Sequence, residues 1–158
     1  MKTRWITIAI VFAIAMTVAP LWADFAAGLR AYNQGDYAGA LKEWQPLAEK
    51  GNYSAQFNIG LMYQEGQGVP RDYAQAAQWF ERAANQGYAK AQHNLGAMYG
   101  AGRGVKKDYV QAYKWMSLCA SKGEPGCASQ RDELEKKLNG SKLATAQRMA
   151  SDFRAREE

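Results

Sequence analysis

Ala55-Gln56-Phe57-Asn58-Ile59-Gly60-Leu61-Met62-Tyr63 returns 36 residues later as Ala91-Gln92-His93-Asn94-Leu95-Gly96-Ala97-Met98-Tyr99. The same shift carries Gly66, Gly68 and Val69 onto Gly102, Gly104 and Val105. It then carries Asp72, Tyr73, Gln75, Ala76, Trp79, Ala84 and Gly87 onto Asp108, Tyr109, Gln111, Ala112, Trp115, Ala120 and Gly123. Between 55–87 and 91–123 there are 16 identities in 33 positions, all in one register. A sustained period of this length marks a repeat array. Such arrays stack one supersecondary unit on the next and usually bind along a surface rather than catalyse in a pocket.

Each unit reads as helix, glycine loop, helix. The spacing of Ala55, Ile59, Met62 and Tyr63 predicts a first helix over about Tyr53–Gln64. Gly60 and Gly96 sit inside their helices, where glycine costs roughly 1 kcal/mol against alanine. Placing one there twice implies a neighbouring helix too close to admit a Cβ. The loop runs from Glu65 to Asp72, with Val69 tucked beneath it, and returns as Ala101 to Asp108. Asp72 and Asp108 are natural N-caps for the second helix. That helix spans about Tyr73–Gln86, buries Tyr73, Ala76, Ala77, Phe80 and Ala84, and ends at Gly87.

The flanks are degenerate versions of the same unit. Asp36, Tyr37, Ala40, Ala48 and Gly51 lie 36 residues before Asp72, Tyr73, Ala76, Ala84 and Gly87, behind a loop about five residues shorter. After Gly123 a helix is expected from about Pro125 to Leu138, then a last one capped by Ser141 and running to about Arg156. Terminal units of a stack are expected to be atypical because they cover its exposed end. The chain thus divides into an export segment (1–23), a degenerate hairpin (24–52), two full repeats (53–88 and 89–124) and capping helices (125–158).

Residues 1–23 have the layout of a secretory signal peptide. Lys2 and Arg4 precede an apolar run from Ile6 to Val18, and Pro20 and Leu21-Trp22-Ala23 follow. Cleavage is expected after Ala23, with Ala19 the second choice, which would make the protein periplasmic or secreted. The rival is an uncleaved anchor, since 5–23 carries no charge and reaches the lower end of spanning length. Loss of Lys2 and Arg4 lowers the formal charge from +5 to +3, too little to argue for nucleic acid. Cys119 corresponds to Ala83, late in a second helix, and Cys127 opens the next first helix, 36 residues after Ala91. These places are neighbours in stacked hairpins, and export permits a disulfide between them. Two buried thiols are the alternative.

The sequence resembles the Sel1-like repeat family. The resemblance lies in Ala55 to Tyr63, Gly66-Gln67-Gly68-Val69, Asp72-Tyr73, Trp79-Phe80 and Ala83-Ala84, and in Ala91 to Tyr99, Gly102-Arg103-Gly104-Val105, Asp108-Tyr109 and Trp115. It covers 53–124, and 25–52 looks like a related tetratricopeptide-type hairpin. The resemblance implies an all-α, right-handed α/α solenoid used as a protein-interaction scaffold. Exported bacterial members of the family are associated with envelope signalling, polysaccharide assembly, host contact and immunity to toxic effectors, and some cysteine-rich relatives bind penicillins.

Catalytic patterns are missing from the chain. No serine is followed at the third position by lysine, and there is no Lys-Thr-Gly, so a penicillin-handling serine site is not supported. His93 is the sole histidine and has no triad constellation around it. No set of three or four ligands has zinc spacing. The glycine loops match no nucleotide-binding pattern and recur in both units, which is a folding signal. No cofactor or metal is therefore expected. Arg103, Lys106 and Lys107 form a small basic tip, read either as solvated or as a rim contact for an acidic partner. Trp79 and Trp115 are repeat-equivalent and are expected to pack between hairpins, as is Trp44 in the place of Phe80.

First helices of stacked hairpins usually line the concave side. On that side the candidates are Phe57, Asn58 and Leu61 from one unit, and His93 and Asn94 from the next. The two asparagines are suited to gripping an extended peptide segment, because an amide both donates and accepts. The alternative is that both brace the turn between hairpins. The expected function is a non-enzymatic adaptor, inhibitor or immunity-type factor that binds another protein. The competing readings are a small-ligand or cell-wall-fragment (penicillin-type) binder or hydrolase, and a passive spacer. Apart from the export segment, no membrane contact is expected.

Overall fold

The computed structural model describes residues 21–157, with side chains from Phe25 to Arg154; the bulk of the expected export segment lies outside the described residues. Among them are helices and no strands: α1 (Leu21–Asn33), α2 (Tyr37–Glu49), α3 (Tyr53–Glu65), α4 (Tyr73–Asn85), α5 (Ala89–Ala101), α6 (Tyr109–Ser121), α7 (Cys127–Lys137) and α8 (Gly140–Glu157). Each helix from α2 to α6 packs on the one before and the one after it, and α7 and α8 both pack on α6. This is an all-α repeat solenoid. Among the described residues no helix is long and apolar enough to cross a membrane.

The second helix of each unit starts where its aspartate stands. Asp72 Oδ1 accepts from the Ala74 and Gln75 amides at 2.8 and 3.0 Å, and Asp108 Oδ1 from Val110 and Gln111 at 2.8 and 3.1 Å. Each such cap contributes about 1 kcal/mol. At its far end, the Tyr88 amide returns to Ala83 O at 3.1 Å behind Gly87, and the Glu124 amide to Cys119 O at 3.2 Å behind Gly123. The same pair of signals bounds α4 and α6, each 13 residues long.

The mid-helix glycines face the bulky side chain of the partner helix, as the sequence implied. A Cβ on Gly60 would stand 2.7 Å from the Phe80 ring, and one on Gly96 would stand 3.1 Å from the Met116 methyl. Gly28 meets Trp44 in the same way. The second loop glycine joins units. Gly68 has φ +70, and a Cβ on it would lie 2.7 Å from Tyr37 Cβ; on Gly104 it would run into the Tyr73 carbonyl. Each loop therefore rests on the first turn of the preceding unit's second helix, and only glycine permits both that contact and that backbone.

The core lies between the units. Trp79 clusters with Ala40, Trp44, Leu47, Ala55 and Ile59 across the first junction. Trp115 clusters with Ala76, Phe80, Ala84 and Leu95 across the second. Val69 and Val105 pack half-buried against these clusters. The third cluster is Ala112, Tyr113, Met116, Cys119, Cys127, Leu134 and Ala146, which carries the capping helices. Cys119 and Cys127 form a disulfide with Cα atoms 6.0 Å apart, tying the end of α6 to the start of α7.

Three local expectations change. The first-unit loop has three residues against seven in the full repeats, so it is four shorter rather than about five. The helix expected from Pro125 begins at Cys127, because Gly126 takes φ +81 in front of it. The last helix is capped by Asn139 and not by Ser141. Asn139 Oδ1 accepts from the Lys142 amide at 3.0 Å, and the Ser141 hydroxyl donates to it at 3.1 Å.

Candidate functional site

Because α3, α5 and α7 open successive units, Asn58, Asn94 and Gln130 fall at 36-residue steps. The structure leaves the Asn58 and Asn94 side chains half-buried and, among the described residues, without a hydrogen bond to another protein group. Turn bracing belongs to other residues. Gln56 Nε2 donates to Ala48 O at 2.9 Å, and Gln92 Nε2 donates to Ala84 O at 3.2 Å. Both glutamines are buried, and each ties a first helix to the end of the preceding second helix. Their identity in both copies was the available signal.

The flanking candidates are only partly free. Phe57 is half-buried, its ring 5.6 Å from Phe80 and 5.2 Å from Tyr88. Leu61 leans on the same apolar cluster. The His93 imidazole meets the Gln130 carboxamide at 2.9 Å, a link from α5 to α7. Ala97 stands exposed where the preceding unit has Leu61. The smaller side chain leaves a groove of about 310 Å³ between α5 and α7, lined by Ala97, Gly100, Gln130, Leu134 and Lys137.

The sequence reading missed an aromatic patch beside these residues. Tyr53 is 47% exposed, and its ring lies 5.0 Å from Tyr88. Tyr88 occupies the N-cap of α5 and makes no side-chain cap bond, whereas Asn52 caps α3 by accepting from the Ala55 amide at 2.8 Å. An aromatic at this place forgoes about 1 kcal/mol of capping. Contacts with Tyr53 and Phe57 offset that loss, since aromatic pairs contribute about 0.5–1.5 kcal/mol beyond burial. Burial raises the Tyr88 phenol pKa, and Tyr53 and Glu124 add to the rise. Tyr53, Phe57 and Tyr88 thus form an apolar end to the row of carboxamides.

Among the described residues, no three His, Cys, Asp or Glu side chains converge as metal ligands. The neighbour of His93 is an amide, which orients a ring but supplies no carboxylate to assist proton transfer. The arrangement offers hydrogen-bond donors and acceptors in a row, with aromatic surface at one end.

A model described as Sel1 repeat matches residues 54–88 and 89–124. Among solved structures, a protective antigen present in uropathogenic Escherichia coli strains, displaying an SLR fold, is 32% identical with a TM-score of 0.78, over 85% of this chain and 30% of that one. A Sel1 repeat protein from Oxalobacter formigenes is 32% identical with a TM-score of 0.66, over 72% of this chain and 88% of its own. Among curated proteins, DAP3-binding cell death enhancer 1 of Rattus norvegicus and that of Mus musculus are each 45% identical over 38 residues, 24% of this chain. The match spans 8% of the length of those relatives. Two adjacent repeats, matched in register and in fold, identify the chain as a member of the Sel1-repeat family.

Proposed function

We propose that this protein is a non-enzymatic interaction module of the bacterial envelope, which grips an extended segment of a partner protein along the α3–α5–α7 face. Sel1 repeats are in general protein–protein interaction modules, and the arrangement here suits that use. The observation that carries the reading is the pair Asn58 and Asn94, half-buried, in register and without a hydrogen-bond partner among the described residues. A peptide backbone presents a donor and an acceptor per residue, and each carboxamide matches both. A net hydrogen bond contributes about 0.5–1.5 kcal/mol, so the asparagines orient the segment while Tyr53, Phe57 and Tyr88 anchor a side chain. The amino-terminal apolar segment supports export, and the bridged Cys119–Cys127 pair agrees with an oxidising compartment. Adaptor, inhibitor and immunity-type roles all use such a face without covalent chemistry.

The test is capture of partners from a periplasmic extract with the wild-type chain and with the Asn58→Ala/Asn94→Ala double variant. The expected result is a partner retained by the first and lost by the second, with both variants equally helical. Equal retention by both would reject this face.

A further inference from the structure

Helices α7 and α8 both pack on α6, and a cleft of about 320 Å³ lies between them. Its floor is Tyr113 and Ser117 from α6, and its walls carry Arg131 and Glu135 from α7 and Gln147 and Arg154 from α8. The cleft arises where the repeat is broken. Arg131 stands 36 residues after Leu95 and 72 after Ile59, both core residues at no more than 1% exposure. Tyr113 replaces Ala77 and is itself only 5% exposed. The capping unit has put a guanidinium where both full repeats bury an aliphatic side chain, and the second repeat a phenol where the first buries an alanine.

One buried polar atom in this region lacks a partner. Ser117 Oγ is covered and makes no hydrogen bond. A mid-helix serine ordinarily satisfies itself on the carbonyl four residues back. An orphaned hydroxyl on a cleft floor is instead free to turn about χ1 toward a bound acceptor. Arg131 uses Nε and Nη2 on Asp132 Oδ1, at 2.9 and 2.7 Å, and keeps Nη1 for another acceptor. Arg154 is exposed on the opposite wall. The ionised lining groups are Arg131, Arg154 and Glu135, and Asp132 is bonded to Arg131 from outside the lining, so two carboxylates offset two guanidiniums. With no positive surplus the cleft takes at most one added negative charge and disfavours a dianion such as phosphate.

We propose that this cleft binds one carboxylate, with Arg131 and Arg154 as charged donors and the Ser117 hydroxyl as a neutral one. A carboxylate matches the planar guanidinium fork of Arg154, and Arg131 Nη1 adds a further charged donor. Two sources carry that chemistry, an acidic side chain and the carboxyl terminus of a polypeptide. The site is separate from the α3–α5–α7 face, and neither reading depends on the other.

Amide-resolved NMR titration of the oxidised chain tests it, using sodium acetate, N-acetylalanine and N-acetylaspartate α-amide. N-acetylalanine amide serves as the neutral control, and sodium sulfate as the dianion. Saturable shifts are expected at Tyr113, Ser117, Arg131, Gln147 and Arg154 with the carboxylates and not with the neutral amide. Affinity should fall about tenfold or more in Arg131→Gln and in Arg154→Gln, in line with loss of a charged hydrogen bond. Ser117→Ala should weaken it by a smaller factor. The tighter of the two amino-acid probes identifies the source. Arg154→Gln lies in the last turns of α8 and keeps the test valid if Arg131→Gln unsettles α7. The Asn58→Ala/Asn94→Ala variant should bind the probes unchanged. Non-saturating or scattered shifts, an equal response to the neutral amide, tighter binding of sulfate, or unchanged affinity in Arg154→Gln would overturn the proposal.

Discussion

Alanine at Gly60 should destabilise the solenoid, although alanine favours helix. The added Cβ would sit 2.7 Å from Phe80 Cδ1 and Cε1, and Phe80 is fully buried. Carbon atoms in contact sit about 3.5–4.0 Å apart, so the ring must retreat by roughly 1 Å against a filled core. Overpacking of this kind costs about 1–3 kcal/mol, while replacing a helical glycine returns about 1 kcal/mol. The net expectation is a loss of about 1–2 kcal/mol. Two sister glycines provide the scale. At Gly96 the obstacles are the flexible Met116 methyl at 3.1 Å and the Ala112 carbonyl oxygen at 3.3 Å, so the helix gain of alanine is roughly cancelled and stability should change by less than about 0.5 kcal/mol. At Gly100 a new Cβ would meet only Ala112 Cβ at 3.8 Å, an ordinary contact, and alanine should stabilise by about 0.5–1 kcal/mol. Urea denaturation followed by circular dichroism measures all three on the oxidised protein. The order Gly100→Ala above Gly96→Ala above Gly60→Ala is the expected result. Adding Phe80→Leu to Gly60→Ala should cost less than the two changes do separately, because the smaller side chain makes room. Equal stabilisation by Gly60→Ala and Gly100→Ala, or strict additivity with Phe80→Leu, would refute the close-approach reasoning.

Further expectations follow from the turns and the patch. Cys119→Ser with Cys127→Ser, or reduction with dithiothreitol, should lower stability by about 2–3 kcal/mol through the short loop the bridge closes; an unchanged urea midpoint would contradict this. Gln56→Met removes the donor to Ala48 O and the acceptor of Gln86 Nε2, at 2.9 and 2.7 Å, and should cost about 1–3 kcal/mol in the same assay. Gln92→Met should cost less, because Gln92 Oε1 is buried without a partner already. The Tyr88 phenol is raised above its ordinary value of 10.0, chiefly by burial. Its neutral form is favoured by folding, so that contribution is fully present below the unfolded value and is lost as pH rises through the folded one. Tyr88→Phe should therefore flatten the alkaline fall in stability, which denaturation at a series of pH values above neutral would reveal.

Much of the fold was legible because it is local and periodic. Asp72 and Asp108 cap by reaching amides two and three residues away, and Ala76 and Phe80 share a helix side by spacing alone. Register also placed Trp79 and Trp115 between units, since equivalent positions in a stack have equivalent neighbours. The bridge between Cys119 and Cys127 was readable for the same reason. Within the candidate face, register aligned Asn58 with Asn94, but that neither has a hydrogen-bond partner among the described residues appeared only when Gln56 and Gln92 were seen to hold the turns.

Tertiary structure alone decided the contacts that do not recur from unit to unit. Tyr53 meets Tyr88 and His93 meets Gln130 because packing brings one unit onto the beginning of another. The cleft under Arg131 exists because α7 and α8 each settle on α6, an outcome that depends on how the last hairpin opens and not on its composition. A period records what every unit does to itself and its neighbour. Where the pattern ends, geometry is set by the competition of surfaces for the same core, and no spacing along the chain encodes the winner.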